Sequence, residues 1–88
     1  MFNKPTMKLE IVTPEQIFFS GEVNSVTLPG SLGFFSIWEH HASLISMLKT
    51  GKILYQIDGK VHEMEIDGGF VEVDKNIITV CVENILSK

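Results

Sequence analysis

The sequence predicts an all-β domain, a small sandwich of two antiparallel sheets built from about eight to ten short strands. Apolar and polar residues alternate with a period of two along most of the 88 residues, and this is the side-chain period of a half-buried strand. Turn-forming residues recur about every 8–12 positions, a spacing typical of sandwiches and barrels. One stretch, Glu39–Leu48, could form a helix, but it fits either period and has no good cap.

The strands can be assigned in order, because each alternating run ends at residues that favour turns. Asp58-Gly59 is the strongest hairpin signal, and Asp74-Lys75-Asn76 is a second. Gly68-Gly69 predicts a tight bend that turns Phe70 into the core. The predicted strands are Met7–Thr13, Gln16–Ser20, Glu22–Leu28, Ser43–Leu48, Gly51–Ile57, Lys60–Ile66, Gly69–Val73 and Ile77–Val82.

A chain of 88 residues has room for one domain with one core. We expect residues 1–6 to form a flexible tail, residues 7–84 the sandwich, and residues 85–88 a short, fraying C-terminal end. Met1–Thr6 lacks the apolar segment of a signal peptide, and Cys81 has no second cysteine with which to form an intramolecular disulfide. These features predict a cytoplasmic or peripheral protein in a reducing compartment.

Composition argues against nucleic acid as a partner and favours other proteins. The net charge is −4 and all seven basic residues are lysines, spread along the chain between Asp and Glu. No basic patch can form from this pattern, so nucleic acid is not an expected partner. Apolar residues make up 44% of the chain, which is more than so small a core holds easily and favours contact with other proteins.

No catalytic or cofactor site is expected from the residues that usually carry chemistry. Glu39-His40-His41 is the strongest metal-like motif, but adjacent histidines in an extended segment point to opposite faces, and a metal needs three or four converging ligands. His62 is the remaining histidine. Glu63 and Glu65 share one exposed face of a strand, and no glycine-rich phosphate loop is present.

Surplus aromatic residues indicate a surface for protein partners. Leu32–Trp38 is an uncharged, partly aromatic segment. Phe18 and Phe19 are neighbours, as are Phe34 and Phe35, and in a regular strand only one ring of each pair can face inward. We therefore expect at least one apolar patch outside the core, of the kind found at protein interfaces.

Several motifs, in order, resemble the N-terminal β-sandwich domain of the F-type ATP synthase ε subunit, which is called δ in mitochondria. Each motif is weak alone, but their order and spacing over about residues 8–83 are specific. The matching segments are Leu9-Glu-Ile-Val-Thr-Pro14, Ile17-Phe-Phe-Ser-Gly-Glu-Val23, Val26-Thr-Leu-Pro-Gly30, Gly33–Leu48, Lys49-Thr-Gly51, Asp67-Gly-Gly-Phe-Val-Glu-Val73 and Asn76-Ile-Ile-Thr-Val80.

The chain departs from the family pattern mainly in one loop. Glu39-His40 replaces a Pro-Gly pair, Ser43 replaces a proline, Ser36 a glycine, and Phe34 stands where an acidic residue is common. Members of the family commonly continue into two C-terminal helices, which carry its inhibitory action and in some members ATP binding, whereas the sequence here reaches only Leu86-Ser-Lys88. Neither of those functions is expected here.

The resemblance implies a non-catalytic subunit of the central stalk, which couples c-ring rotation to the γ shaft for proton-driven ATP synthesis. Its partners would be the γ subunit and the polar loops of the c-ring, on the cytoplasmic face of the inner membrane. Neither ATP binding nor homo-oligomerisation within the complex is expected. The candidate contact residues are Thr13, Phe34, Phe35, Trp38, His41 and Ser46.

Two other classes of protein remain open on the sequence. A β-sandwich that binds a small ligand or a sugar would need a concave face on which aromatic and polar groups converge. A small metal-dependent β-barrel enzyme would need His40, His41 and His62 to converge.

Overall fold

In a computed structural model, residues 4–87 are described and contain ten strands and no helix. The prediction of an all-β chain is confirmed. The strands are β1 Met7–Val12, β2 Ile17–Val23, β3 Ser25–Gly30, β4 Gly33–Ile37, β5 Leu44–Leu48, β6 Gly51–Ile57, β7 Lys60–Ile66, β8 Gly69–Asp74, β9 Ile77–Val82 and β10 Ile85–Ser87.

The strands form two sheets of five. The order in the first sheet is β10-β7-β6-β3-β4, and in the second it is β5-β8-β9-β1-β2. A single residue pair between β3 and β5, Gly30 with Leu48, joins the two into one hydrogen-bonded path. Neighbouring strands are antiparallel except for β1 and β9, which run parallel, because the β8–β9 hairpin brings β9 alongside β1 in the same direction.

The core lies between the two sheets and is built from alternating positions of their strands. Across it, the rings of Phe19 in β2 and Tyr55 in β6 lie 4.6 Å apart between centroids. Each buried aliphatic side chain contributes about 1.5–3 kcal/mol relative to exposure. The largest fully buried side chains are Met7, Leu9, Ile11, Val23, Val26, Leu28, Ile37, Ile53, Ile66, Val71, Val73 and Ile78.

Both predicted hairpin turns are present as two-residue connections. Asp58 and Gly59 have φ values of 50° and 82°, as a type I′ turn requires at both of its central positions. Lys75 and Asn76, at 51° and 64°, form the second turn. Asp74, expected in this turn, belongs to β8, where it pairs with Ile77.

The structure corrects the predicted run Glu22–Leu28. The chain leaves one sheet for the other at Asn24, so β2 continues through Gly21 to Val23 and β3 begins at Ser25. The Asn24 N–H donates to the Gln56 carbonyl at 2.7 Å, and its side-chain oxygen accepts from the Asp58 N–H at 2.7 Å. These bonds hold Asn24 at the point where the chain passes from one sheet to the other. The alternation of apolar residues in the sequence does not indicate this point.

Three further segments differ from expectation. Gly33–Ile37 forms β4, a strand that the aromatic run did not predict, paired with β3 through the tight turn at Ser31-Leu32. Ile85 pairs with Ile66, so the expected fraying end contains β10. Phe70 is 43% exposed, and Val71 fills the core position instead. The prediction for Phe70 was therefore wrong, because the bend at Gly69 sets the opposite phase of alternation.

Of the expected flexible tail, residues 1–3 lie outside the described residues, and residues 4–6 have no regular secondary structure.

Candidate partner-binding surface

Two of the six predicted contact residues, Phe34 and Trp38, lie on the outer side of β4 and just beyond its end. They are 63% and 59% exposed. The ring of Phe35 points the other way and packs against the core, so the Phe34/Phe35 pair divides as the strand period predicts. Phe34 and Trp38 thus present two exposed aromatic rings along one edge of the first sheet.

The other three predicted residues lie apart from this edge. His41 belongs to the loop between β4 and β5, where its Nδ1 lies 2.8 Å from the Ala42 carbonyl oxygen. Ser46 is half-buried in the middle of β5, opposite the buried Val71. Thr13 lies at the β1–β2 turn, and its N–H donates to the Gln16 carbonyl at 2.9 Å. The structure does not bring the six residues together in one site.

The three histidines are divided between two elements, with His40 and His41 in the loop between β4 and β5 and His62 on β7. His62 on β7 stacks on Tyr55 with 5.3 Å between ring centroids. His40 lies 3.4 Å from a carboxylate oxygen of Glu39 in the loop after β4. Within residues 4–87, no group of three or more His, Cys, Asp or Glu side chains is placed to hold a metal ion. This stretch also has no helix long and apolar enough to cross a membrane.

A surface that the sequence did not indicate lies on the outer face of the second sheet. Strand register places Met47 of β5 opposite Phe70 of β8, Phe70 opposite Cys81 of β9, and Cys81 beside Val12 of β1. Residues paired in this way project from the same face of a sheet. We call these four residues the apolar row. Met47 is 62% exposed, so the row presents apolar side chains to solvent.

A shallow cavity of about 300 Å³ opens along the apolar row. Gly69 lies in its wall, where β8 approaches the Cys81 carbonyl of β9 too closely to admit a side chain. Thr13, one of the predicted contact residues, also lies in this wall. The lining residues are Val12, Thr13, Pro14, Gly69, Phe70, Cys81, Val82 and Glu83.

Cys81 contributes to this surface as an apolar group. Burial raises the pKa of its thiol, and the nearby Glu72 carboxylate raises it further. The thiol therefore stays protonated at neutral pH and is a poor nucleophile. The cavity accordingly offers an apolar wall with few polar groups, which suits a protein side chain better than a sugar.

The next row across the same face is acidic. Strand register aligns Ile45 with Glu72, Glu72 with Thr79, and Thr79 with Glu10. Lys8 lies 3.8 Å from a Glu10 carboxylate oxygen, so part of the charge is paired. A partner that combines apolar side chains with basic groups would complement this face.

The apolar row escaped sequence analysis because four strands distant in the chain each contribute one residue. The available signal was the set of apolar residues at outward positions of predicted strands, such as Val12 and Met47. Phe70, near the centre of the row, was predicted to lie in the core. Without it, the remaining outward residues did not indicate a continuous apolar surface.

Comparison with known proteins decides the family. Residues 6–88 match the profile of the family described as "ATP synthase, Delta/Epsilon chain, beta-sandwich domain". The chain belongs to this family. The resemblance seen in the sequence motifs is thereby confirmed.

Named relatives agree with the family assignment. The ATP synthase epsilon chain of a Nitratiruptor species is 49% identical over 79 residues, which cover 89% of this chain and 61% of that protein. The epsilon chain of Chlorobium limicola is 44% identical over 79 residues, covering 89% of this chain and 90% of the relative. The chain thus spans about three fifths of the first relative and nearly all of the second.

Solved structures show the same fold. A chain in the Euglena gracilis mitochondrial ATP synthase (OSCP/F1/c-ring, rotational state 1) superposes with a TM-score of 0.87 and 18% identity, over 97% of this chain and 56% of that one. A chain in the Tetrahymena thermophila mitochondrial ATP synthase central stalk/c-ring gives 0.79 and 16%, over 97% and 69%. The sandwich is therefore the family fold.

Proposed function

We propose that this domain acts as a non-catalytic rotor subunit of a rotary ATP synthase, coupling c-ring rotation to the γ shaft during ion-driven ATP synthesis. The observation that carries the proposal is the family match over residues 6–88. It is supported by the epsilon chain of C. limicola, of which this chain covers 90%. As part of that complex, the domain would lie peripherally on the cytoplasmic face of the membrane.

The apolar row is the proposed contact with the γ subunit. Met47 and Phe70 lie side by side and exposed on one rigid sheet, and large side chains of this kind dominate binding energy once a partner excludes water. The neighbouring Glu10 and Glu72 would steer a basic partner surface. Thr13, in the wall of the cavity, would lie within the same contact.

The β3–β4 hairpin is the proposed contact with the polar loops of the c-ring. Leu32 at its tip is fully exposed, and Phe34 follows it on the outer side of β4. The family resemblance assigns this region to contacts with the ring or the shaft. The two contacts would then use different sheets, the hairpin from the first and the apolar row from the second.

The architecture suits a part that transmits torque. Every described strand pairs with at least one neighbour, and the core between the sheets is filled by aliphatic side chains. Close-packed interiors of this kind deform little under load. No moving part or reacting group is needed for this role.

The γ contact can be tested by measuring γ affinity of charge variants on the apolar row. Phe70→Asp and Met47→Asp should each weaken binding about tenfold or more, since loss of an interface hot spot costs roughly 2 kcal/mol. Val61→Asp is the matched control, because Val61 is similarly exposed but lies on β7 of the first sheet. Equal weakening by all three variants, or by none, would reject the apolar row as the contact.

The c-ring contact requires a separate experiment in the assembled complex. Phe34→Cys, made in a Cys81→Ala background, should form a disulfide with a cysteine placed in the polar loop of the c subunit. His41→Cys is the comparison, because His41 lies in the loop beyond the other end of β4. A cross-link from His41→Cys but not from Phe34→Cys would place the ring at the opposite end of the strand.

A further inference from the structure

Strand β4 has one unpaired edge. It pairs with β3 along its whole length, and no other strand among residues 4–87 pairs with it. Unpaired edges expose a row of backbone donors and acceptors to which another chain can add a strand. Natural sheets usually block such edges with charges, bulges, prolines or very short strands.

The other edges of this sandwich are each at least partly blocked. β2 carries Glu22, and its pairing with β1 is interrupted by a bulge between Ile11 and Val12. β10 has only three residues. On β5, the Met47 carbonyl already accepts a hydrogen bond from the Ser31 N–H at 3.1 Å, and Leu48 pairs with Gly30.

The edge of β4 has none of these protections. Its sequence, Gly33-Phe-Phe-Ser-Ile37, contains no charge and no proline, and its register with β3 is regular throughout. No charged residue lies between Glu22 and Glu39. Two copies of a chain with a net charge of −4 can therefore meet at this edge without like charges lying against each other.

The position of Pro29 in β3 determines which backbone N–H and C=O groups of β4 face the open edge. Antiparallel pairs alternate between hydrogen-bonded and non-hydrogen-bonded. Pro29 has no N–H, so its pair with Phe34 is of the non-hydrogen-bonded kind. By the same alternation, Thr27–Ser36 is also non-hydrogen-bonded. The N–H and C=O groups of Phe34 and Ser36 consequently point away from β3, towards the open edge.

The side chains along this edge are symmetric about Ser36. Phe34 precedes it by two residues and Trp38 follows it by two, and both rings are exposed on the outer face. An antiparallel pairing of two copies centred on Ser36 would place Phe34 of each copy opposite Trp38 of the other. Aromatic pairs directly across two strands stabilise a sheet, and an edge that complements itself produces a two-fold symmetric contact.

We propose that β4 pairs with β4 of a second copy of this chain, joining the two first sheets into one continuous sheet. The contact would consist of one five-residue strand and its flanking Trp38 from each copy, far fewer than the roughly 20–30 residues a side of a stable complex, so the dimer is weak and forms only at high concentration. This inference does not depend on the proposed function. It concerns the free subunit, and a c-ring contact through Phe34 would exclude the dimer.

Trp38 is the single tryptophan of the chain, so its fluorescence reports on the proposed interface. From about 10 μM to about 1 mM, a range suited to weak complexes, the emission should shift to shorter wavelength as Trp38 leaves water. Sedimentation equilibrium over the same range should show a monomer–dimer equilibrium. A wild-type chain that remains monomeric throughout would overturn the proposal.

Variants at the β4 edge identify the face involved. Ser36→Pro removes an outward N–H, and Phe34→Asp places a charge at the contact; each should weaken dimerisation at least tenfold. Val61→Asp, on β7 and separated from β4 by β6 and β3 of the same sheet, is the control with the same added charge and should dimerise like wild type. Loss of the dimer in Phe70→Asp but not in Phe34→Asp would assign it to the apolar row instead. If Ser36→Pro fails to fold, Phe34→Asp decides alone.

Discussion

Gly69 shows how one residue determines the course of a strand. It begins β8 and pairs with Leu48 on one side and Val82 on the other. Its φ of +146° lies in the range that L side chains rarely adopt. A Cβ atom at this position would also collide with the Cys81 carbonyl oxygen and lie 3.0 Å from the Val82 Cα. The site therefore excludes a side chain for two separate reasons.

We predict that Gly69→Ala is strongly destabilising. Backbone strain of this kind costs about 1–3 kcal/mol, and the collision with Cys81 adds to it by displacing β9. Since each kcal/mol lowers Tm by roughly 4–8 °C in a domain of this size, the expected loss is about 10 °C or more by thermal melting.

Gly33→Ala is the matched control for this prediction. Gly33 has a φ of +134°, but a Cβ atom there meets nothing within 4 Å. Gly33→Ala should therefore carry the free-energy cost of the strained backbone but not that of a steric collision, and its Tm should fall by less than that of Gly69→Ala. Equal falls in the two variants would show that contact with β9 adds nothing.

Tyr55 should make the protein sensitive to alkaline pH. Its ring is buried between Phe19 and His62, and burial raises the pKa of its hydroxyl. Above about pH 10 the unfolded chain releases this proton while the folded chain retains it. The free energy of unfolding should therefore fall as the pH rises from about 10 towards the raised pKa.

Tyr55→Phe tests this prediction, because it keeps the ring and removes the ionisable group. Urea unfolding between about pH 8 and pH 11 should show a shallower alkaline decline in the variant than in wild type. The Cys81 thiol also has a raised pKa and gives a decline of the same sign in both proteins. Identical slopes would mean that the Tyr55 hydroxyl ionises freely in the folded state.

At the scale of elements, hydrogen bonds from the β8–β9 hairpin of the second sheet hold the loop that connects β4 of the first sheet to β5. The side-chain oxygen of Asn76 accepts a hydrogen bond from the His40 N–H at 2.8 Å, and its carbonyl accepts one from the Lys8 N–H at 2.8 Å. Ser43 donates to Asp74 of the same hairpin at 3.1 Å. The segment between β4 and β5 is thus tied to the β8–β9 hairpin at two points, His40 and Ser43.

Asn76→Gly should loosen this segment without disturbing the turn. Glycine adopts the φ of 64° readily, but the acceptor for the His40 N–H is lost. A net loss of about 1 kcal/mol is expected, together with faster amide hydrogen exchange at His40 and His41. Asn76→Asp retains a side-chain acceptor and should stay close to wild type, and a similar increase in exchange in both variants would contradict the role of this bond.

The sequence signals for elements differed in strength for a physical reason. Asp58-Gly59 was recognisable because its turn imposes a local demand, positive φ at two successive residues. The break at Asn24 was not recognisable, because its hydrogen bonds go to Gln56 and Asp58, more than thirty residues away. Strand β4 was not predicted because its mixture of aromatic and small residues does not show the alternation of apolar and polar residues that indicates which face of a strand is buried.

At the scale of the whole molecule, the isolated domain should neither bind nor hydrolyse ATP. The chain has no arginine and no glycine-rich phosphate loop, and the cavity beside the apolar row is lined mainly by apolar side chains. Calorimetric titration with ATP should give no binding heat, and incubation should release no phosphate above background. Micromolar affinity for ATP would contradict this prediction.

The sequence by itself determined the fold class, most strand positions, the family, and the existence of apolar surface outside the core. The family follows from the order and spacing of the motifs that resemble it. The fold class, the strand positions and the expected surface follow from local properties: the period of two, the turn chemistry, and the inability of neighbouring rings such as Phe34 and Phe35 to face the same way. They can be derived without knowing which strands are neighbours.

Only the tertiary structure decided where that surface lies. Phe70 became an outward residue because the bend at Gly69, the first residue of β8, sets the phase of the strand where it passes close to the Cys81 carbonyl. Met47, Phe70, Cys81 and Val12 became one row through the register of four strands. Register is a property of pairs of strands, and a shift of one residue would turn each of these side chains to the opposite face.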